Sequence, residues 1–84
     1  MISIKELINK IKWDPDERAD EYDIFYLDRV KNKLLKLRMK NILKIEGEFI
    51  KISKDSKDKN INFIPLHRIK KVTKKDKVIW SRNY

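Results

Sequence analysis

Ile4, Leu7, Ile8 and Ile11 recur at i, i+3, i+4 and i+7, the spacing that puts four apolar side chains on one helical face. Ser3 and Glu6 have the spacing of a capping box, and Ile2 and Leu7 that of the hydrophobic staple beside it. Pro15 biases Asp14 away from helical dihedrals, so the pattern predicts a helix over residues 3–13. Its other face, Lys5, Asn9, Lys10 and Lys12, is read as solvated.

Beyond Pro15 the helical period is lost. Residues 14–23 carry six acids and are read as an acidic loop. Ile24-Phe25-Tyr26-Leu27 opens a strand over 24–30, and Leu34, Leu35 and Leu37 mark another over 33–38. A turn at Lys31-Asn32 makes those two an antiparallel hairpin. A third strand is expected over 45–52 around Gly47, the only glycine, and a last pair over 61–64 and 77–82. The polar stretch 53–60 is read as a loop. The expected architecture is α+β: an amino-terminal amphipathic helix packed on a small, mostly antiparallel sheet or partly closed barrel of about five strands.

A short internal repeat crosses these elements. Residues 39–45 (MKNILKI) parallel residues 66–72 (LHRIKKV), with apolar residues at the first, fourth and seventh positions, and each copy leads into a strand-like stretch. That spacing suits one helical turn entering a strand. Where the first copy carries Lys40-Asn41, the second carries His67-Arg68.

With 84 residues the chain can bury one core, so a single domain over 1–84 is expected. The absence of cysteine removes disulfides and thiolate metal sites, and His67 is the only histidine. A metal would have to be held by carboxylates, but the acidic loop lacks the glycine and the terminal glutamate of a calcium-binding loop. No cofactor is expected. Apolar runs fall far short of the roughly 18 residues of a membrane span, which leads to the expectation of a cytoplasmic protein without a membrane partner.

Charge changes the picture more. The net +9 is unevenly spread: residues 1–30 hold eight acids against five bases, and the remainder five acids against seventeen bases. A basic surface on the carboxyl-terminal two thirds favours a polyanion, because clustered cations release counterions from a phosphate backbone. Among seventeen lysines the five arginines stand out, since a guanidinium can grip phosphate in two directions. His67 and Arg68, on a connection after Pro65, are the most pointed candidates for phosphate contact. Trp80 has two readings, a base-stacking ring or a core residue with its indole nitrogen bonded.

Four segments carry a resemblance: Trp13-Asp14, Tyr26-Leu27-Asp28-Arg29-Val30, Ile64-Pro65-Leu66-His67-Arg68-Ile69 and Val78-Ile79-Trp80-Ser81-Arg82. Together they resemble a small archaeal protein family related to the RNA cyclic group end recognition domain. The resemblance implies binding of RNA ends bearing a cyclic phosphate, in association with RNA-processing enzymes. It implies a site built from Tyr26, Asp28, Arg29, His67, Arg68, Trp80 and Arg82, with Asp28 orienting Arg29. Asp76-Lys77 stands where such proteins often have a glycine turn, which puts the geometry of the final hairpin in question. Acid-base chemistry on a cyclic phosphate needs two proton-transferring groups, and with one histidine the expectation is binding rather than catalysis. Two alternatives stay open: a non-specific nucleic-acid-binding or protein-docking module, and a phosphodiesterase using His67.

Overall fold

The computed structural model describes residues 2–52 and 63–82. The first helix, α1 (Ile4–Trp13), begins as its capping residues dictate: the Glu6 N–H donates to Ser3 Oγ at 3.1 Å. It ends where the Asp14 N–H donates to the Lys10 carbonyl at 3.0 Å and Asp14 turns extended ahead of Pro15. Ile4, Leu7, Ile8 and Ile11 are its buried face. Each such side chain contributes about 1.5–3 kcal/mol on burial, so this face anchors α1 to the sheets.

Among the described residues seven strands follow, in two antiparallel sheets that do not close on each other. In chain order they are β1 (Tyr22–Asp28), β2 (Lys33–Arg38), β3 (Ile42–Glu46), β4 (Phe49–Ile52), β5 (Phe63–Pro65), β6 (Ile69–Lys74) and β7 (Lys77–Ser81). The four-stranded sheet has the order β2-β1-β6-β7 and the three-stranded sheet β3-β4-β5. One core joins α1 to both: Ile8, Ile24, Met39, Ile42, Ile50, Ile69 and Val72 are all fully buried.

The α+β class and the antiparallel pairing agree with the sequence pattern, and the differences have local causes. The expected strand 45–52 is a hairpin of β3 and β4, because Gly47 takes φ +58° and turns the chain between Glu46 and Phe49. The expected pairing of 61–64 with 77–82 does not form. Instead β5 pairs with β4, and β7 pairs with β6, a central strand whose lysines hid it. β1 starts at Tyr22, inside the stretch read as acidic loop, since Tyr22 is buried and Asp23 pairs with Lys36 and Arg38 across β2. The final hairpin forms without glycine: Lys75 (φ 49°) and Asp76 (φ 69°) both adopt left-handed conformations. The stretch 53–60, read as a loop, lies outside the described residues.

The turn of the internal repeat is present in both copies. A single 3-10 turn, Met39–Asn41, leads into β3, and a second, Leu66–Arg68, leads into β6. Met39 and Leu66, the first positions, are buried, as are Ile42 and Ile69, the fourth.

Candidate nucleic-acid interface

The second repeat turn places the candidate chemistry. Pro65 sets its entry with φ −60°, and the Ile69 N–H closes it on the Leu66 carbonyl. The Leu66 N–H donates to the Glu48 carbonyl at 2.8 Å, tying the turn to the three-stranded sheet. With Leu66 and Ile69 inward, the two residues between them face outward: His67 is exposed and Arg68 half-buried.

Arg82 holds this turn from behind. Its Nε donates to the Ile69 carbonyl at 2.8 Å and an Nη to the Leu66 carbonyl at 2.6 Å, while the guanidinium lies 5.0 Å from the Trp80 ring centre. Trp80 is buried in the core, and its indole N–H donates to the Ile2 carbonyl at 3.0 Å. Of the two readings of Trp80, the structure has the core residue. Arg82 thus serves the turn's position, and the Trp80 N–H is spent on the amino-terminal segment.

In front of the turn, a groove of about 630 Å³ runs between the end of β1 and the edge strand β5. It is lined by Tyr26, Asp28, Arg29, Lys31, Phe63 and Arg68, among others. The register brings these together, since Tyr26 lies opposite Ile69 across a bulge at Phe25/Tyr26. Asp28 closes β1: one carboxylate oxygen accepts from the Val30 N–H at 2.9 Å and the Lys31 N–H at 3.0 Å. The Lys31 hydrogen bond, with help from Val30 and the nearby charges of Lys31 and Arg68, holds its carboxyl below the usual carboxylate range. The carboxylate thus pins the turn at 29–32, and no ion pair joins it to Arg29 among the described residues. The expected orientation of Arg29 by Asp28 is replaced by this backbone role, and Arg29 itself is exposed.

Arg68 has the unusual environment. Its Nε is buried without a hydrogen-bond partner. An unmade hydrogen bond on a buried donor costs about 1–3 kcal/mol, and more for a charged group, so such groups are rare without a function or an absent partner.

The acids of 14–23 are spent elsewhere. Asp14 accepts from the Asp16 N–H, Glu17 bonds Tyr22 and pairs with Lys74, Glu21 pairs with Lys75, and Asp23 pairs with Lys36 and Arg38. Among the described residues no three acids or histidines converge as a metal site would require, and no helix is long and apolar enough to cross a membrane.

Four of the seven expected residues, Tyr26, Asp28, Arg29 and Arg68, therefore share one groove; His67 stands on the same turn without lining it, and Trp80 and Arg82 lie behind. Phe63 and Lys31 were missed. Phe63 had a signal, alternation with the buried Ile64, which turns its ring outward; Lys31 had none beyond the turn.

A small antiparallel α+β fold with a cation-lined groove at a strand-to-turn junction is the class that fold and site define. Residues 1–82 match the family described as the MJ1316 RNA cyclic group end recognition domain, and the chain belongs to that family. A UPF0248 protein of Methanococcus maripaludis strain C7 is 39% identical over 67 residues, covering 79% of this chain and 78% of its own. Another from Methanococcus maripaludis strain S2 is 35% identical over 82 residues, covering 94% and 97%. A UPF0248 protein of Saccharolobus islandicus is 27% identical over 84 residues, covering 96% and 100%. No solved structure matches the chain.

Proposed function

We propose that this chain is an RNA-binding module that recognises phosphate-bearing RNA ends, 2′,3′-cyclic phosphate among them. The observation that carries the reading is Arg68: a guanidinium at the wall of a groove, with a buried N–H that lacks an acceptor. A terminal phosphate would supply oxygens to that guanidinium and to Arg29, with charge-assisted hydrogen bonds about twice as strong as neutral ones. Tyr26 borders the groove and offers a ring to ribose or base, and His67 stands beside its Arg68 wall. Asp28 fixes the turn at 29–32 from within the groove, and Arg82, over the Trp80 ring, fixes the Leu66–Arg68 turn. The family's name supports the RNA-end assignment. In this reading the protein works in the cytoplasm beside RNA-processing enzymes, as an adaptor for ends they generate or consume.

Binding is favoured over catalysis by the placement of the two candidate proton carriers. Asp28 borders the groove with one carboxylate oxygen engaged by two backbone N–H groups, and His67 does not line that groove. The phosphodiesterase alternative therefore lacks a pair of proton-transferring groups facing one phosphate.

The test is fluorescence anisotropy with one RNA hexamer carrying a 2′,3′-cyclic phosphate, a 3′-phosphate or a 3′-hydroxyl. Phosphate ends should bind more tightly than the hydroxyl end, without turnover. Equal affinity for all three would leave a non-specific nucleic-acid module, and no binding at low salt would remove RNA altogether.

A further inference from the structure

The outer face of the three-stranded sheet carries two aromatic rings that the fold does not bury. Phe49 on β4 is 45% exposed and Phe63 on β5 is 43% exposed. Alternation explains the direction: Ile50, Ile52 and Ile64 point into the core, so Phe49, Lys51 and Phe63 point out. The register sets Lys51 opposite Phe63 and Phe49 opposite Pro65. The two rings are thus diagonal neighbours on one face, about 7–8 Å apart at their backbones. Lys44, opposite Lys51 on β3, completes the row and pairs with Glu46 at 2.7 Å.

We infer that this face is a stacking platform for single-stranded RNA, receiving the nucleotides that precede the end held in the Arg68 groove. Two observations select that occupant. Lys51 flanks both rings, and with Lys44 it sets two cations against one acid, Glu46 opposite Phe49, so the face is aromatic and net cationic, the combination that holds a single strand. Phe63 also lines the Arg68 groove, which makes platform and groove one continuous surface. A strand leaving the groove meets Phe63 first and Phe49 second. The path rests on the RNA-end reading of the groove and adds what that reading does not contain: a requirement for unpaired bases beside the end, with tolerance of their identity, since every base has a π face.

Binding of a uridine hexamer ending in a 2′,3′-cyclic phosphate is compared with that of the corresponding cyclic mononucleotide. Phe49→Ala should weaken the hexamer about tenfold and leave the mononucleotide unchanged. Phe49→Leu, which keeps the apolar bulk and protects the fold, should show the same loss because the π face is gone. Abasic sites at the second and third nucleotides should erase the difference between wild type and Phe49→Ala.

If the folded Phe49 variants bind the hexamer as wild type does while Arg68→Ala weakens it, the platform is wrong and the groove reading survives. A loss with Phe49→Leu and none with Arg68→Ala would keep the platform and remove the phosphate groove. A hexamer that binds wild type no better than the mononucleotide overturns the platform. Binding of neither ligand overturns both readings. A change in apparent mass on size-exclusion with RNA affinity intact would assign the face to protein docking and overturn the inference.

Discussion

The two copies of the repeat turn have nearly the same backbone and different chemistry. Their entry residues, Arg38 and Pro65, sit at φ/ψ of −72°/134° and −60°/136°, and their exit residues, Ile42 and Ile69, at −79°/120° and −76°/121°. Each exit carbonyl accepts from a distant cation: Ile42 from Lys12 Nζ, Ile69 from Arg82 Nε. The scaffold is thus one solution used twice, with a buried first residue, a buried fourth residue and a cationic clamp. What differs is the outward pair. Lys40-Asn41 belongs to a turn packed against residues 19–21 and β1, whereas Arg68 stands at a groove with its buried Nε lacking a partner. On the proposed reading, recognition would fall to this outward pair and to the groove that Arg68 lines.

If the copies are one scaffold, breaking either should do equal damage. Met39→Ala and Leu66→Ala each remove a buried side chain at the first position, at a cost of about 2–5 kcal/mol. Urea unfolding should give both the same loss within about 1 kcal/mol. A near-neutral result for either would mean that its turn is incidental. For a chain of this size, with total stability of about 4–13 kcal/mol, the lower limit of that loss is already measurable.

The clamps should separate the copies by a smaller amount. Arg82 makes two charge-assisted hydrogen bonds, so Arg82→Ala should cost about 2–3 kcal/mol. Lys12 makes one such bond and is penalised by desolvation, which lowers its pKa, so Lys12→Ala should cost about 1 kcal/mol. Only Arg82→Ala should also loosen the His67-Arg68 turn, and RNA-end affinity should fall with it. An equal loss of affinity for Lys12→Ala would show that the effect travels through global stability.

How much of this the chain discloses beforehand differs by element. The helix is legible because Ser3, Glu6 and the four buried aliphatics act locally. The repeat turn is legible from three apolar positions, and with it His67 and Arg68 as the residues left over. β6 is not, although it is central: Lys70, Lys71 and Lys74 dilute its pattern, and the extra residue Lys70 at the bulge opposite Phe25/Tyr26 breaks its alternation. Trp80 and Arg82 read as site residues because exposure and internal hydrogen bonding leave no mark in a sequence. The groove was hidden for a related reason, being made by the register of β1 against β6 and the edge of β5, which no local signal specifies.

The functional difference between the copies can be isolated next. Arg68→Ala should lower affinity for a phosphate-ended hexamer about tenfold, about 1.4 kcal/mol, and reduce the salt slope by about 0.7. Its stability should hold or rise, because a buried unsatisfied donor disappears. Asn41→Ala, the same position in the first copy, should change neither. Grafting the pair the other way, Lys40→His with Asn41→Arg, should create no end preference, since that turn lacks the groove. A gain of end binding in the graft would show that the turn suffices and the groove does not matter.

The smallest effect concerns Asp28, which ends β1 beside the second turn. Its folded-state pKa is lowered, first by the Lys31 N–H, so its contribution to stability is present above the unfolded value near 3.8 and is lost as pH falls through the lower folded value. Asp28→Asn keeps an oxygen for the same N–H groups and has no such titration. Thermal melts should show wild type losing slightly more stability than Asp28→Asn between about pH 5 and pH 3, with the two nearly parallel above that range. Affinity for the RNA end near neutral pH should be equal or higher in Asp28→Asn, because a negative charge leaves the neighbourhood of Arg68. A fall in affinity as large as that of Arg68→Ala would instead make Asp28 the residue that aims the guanidinium.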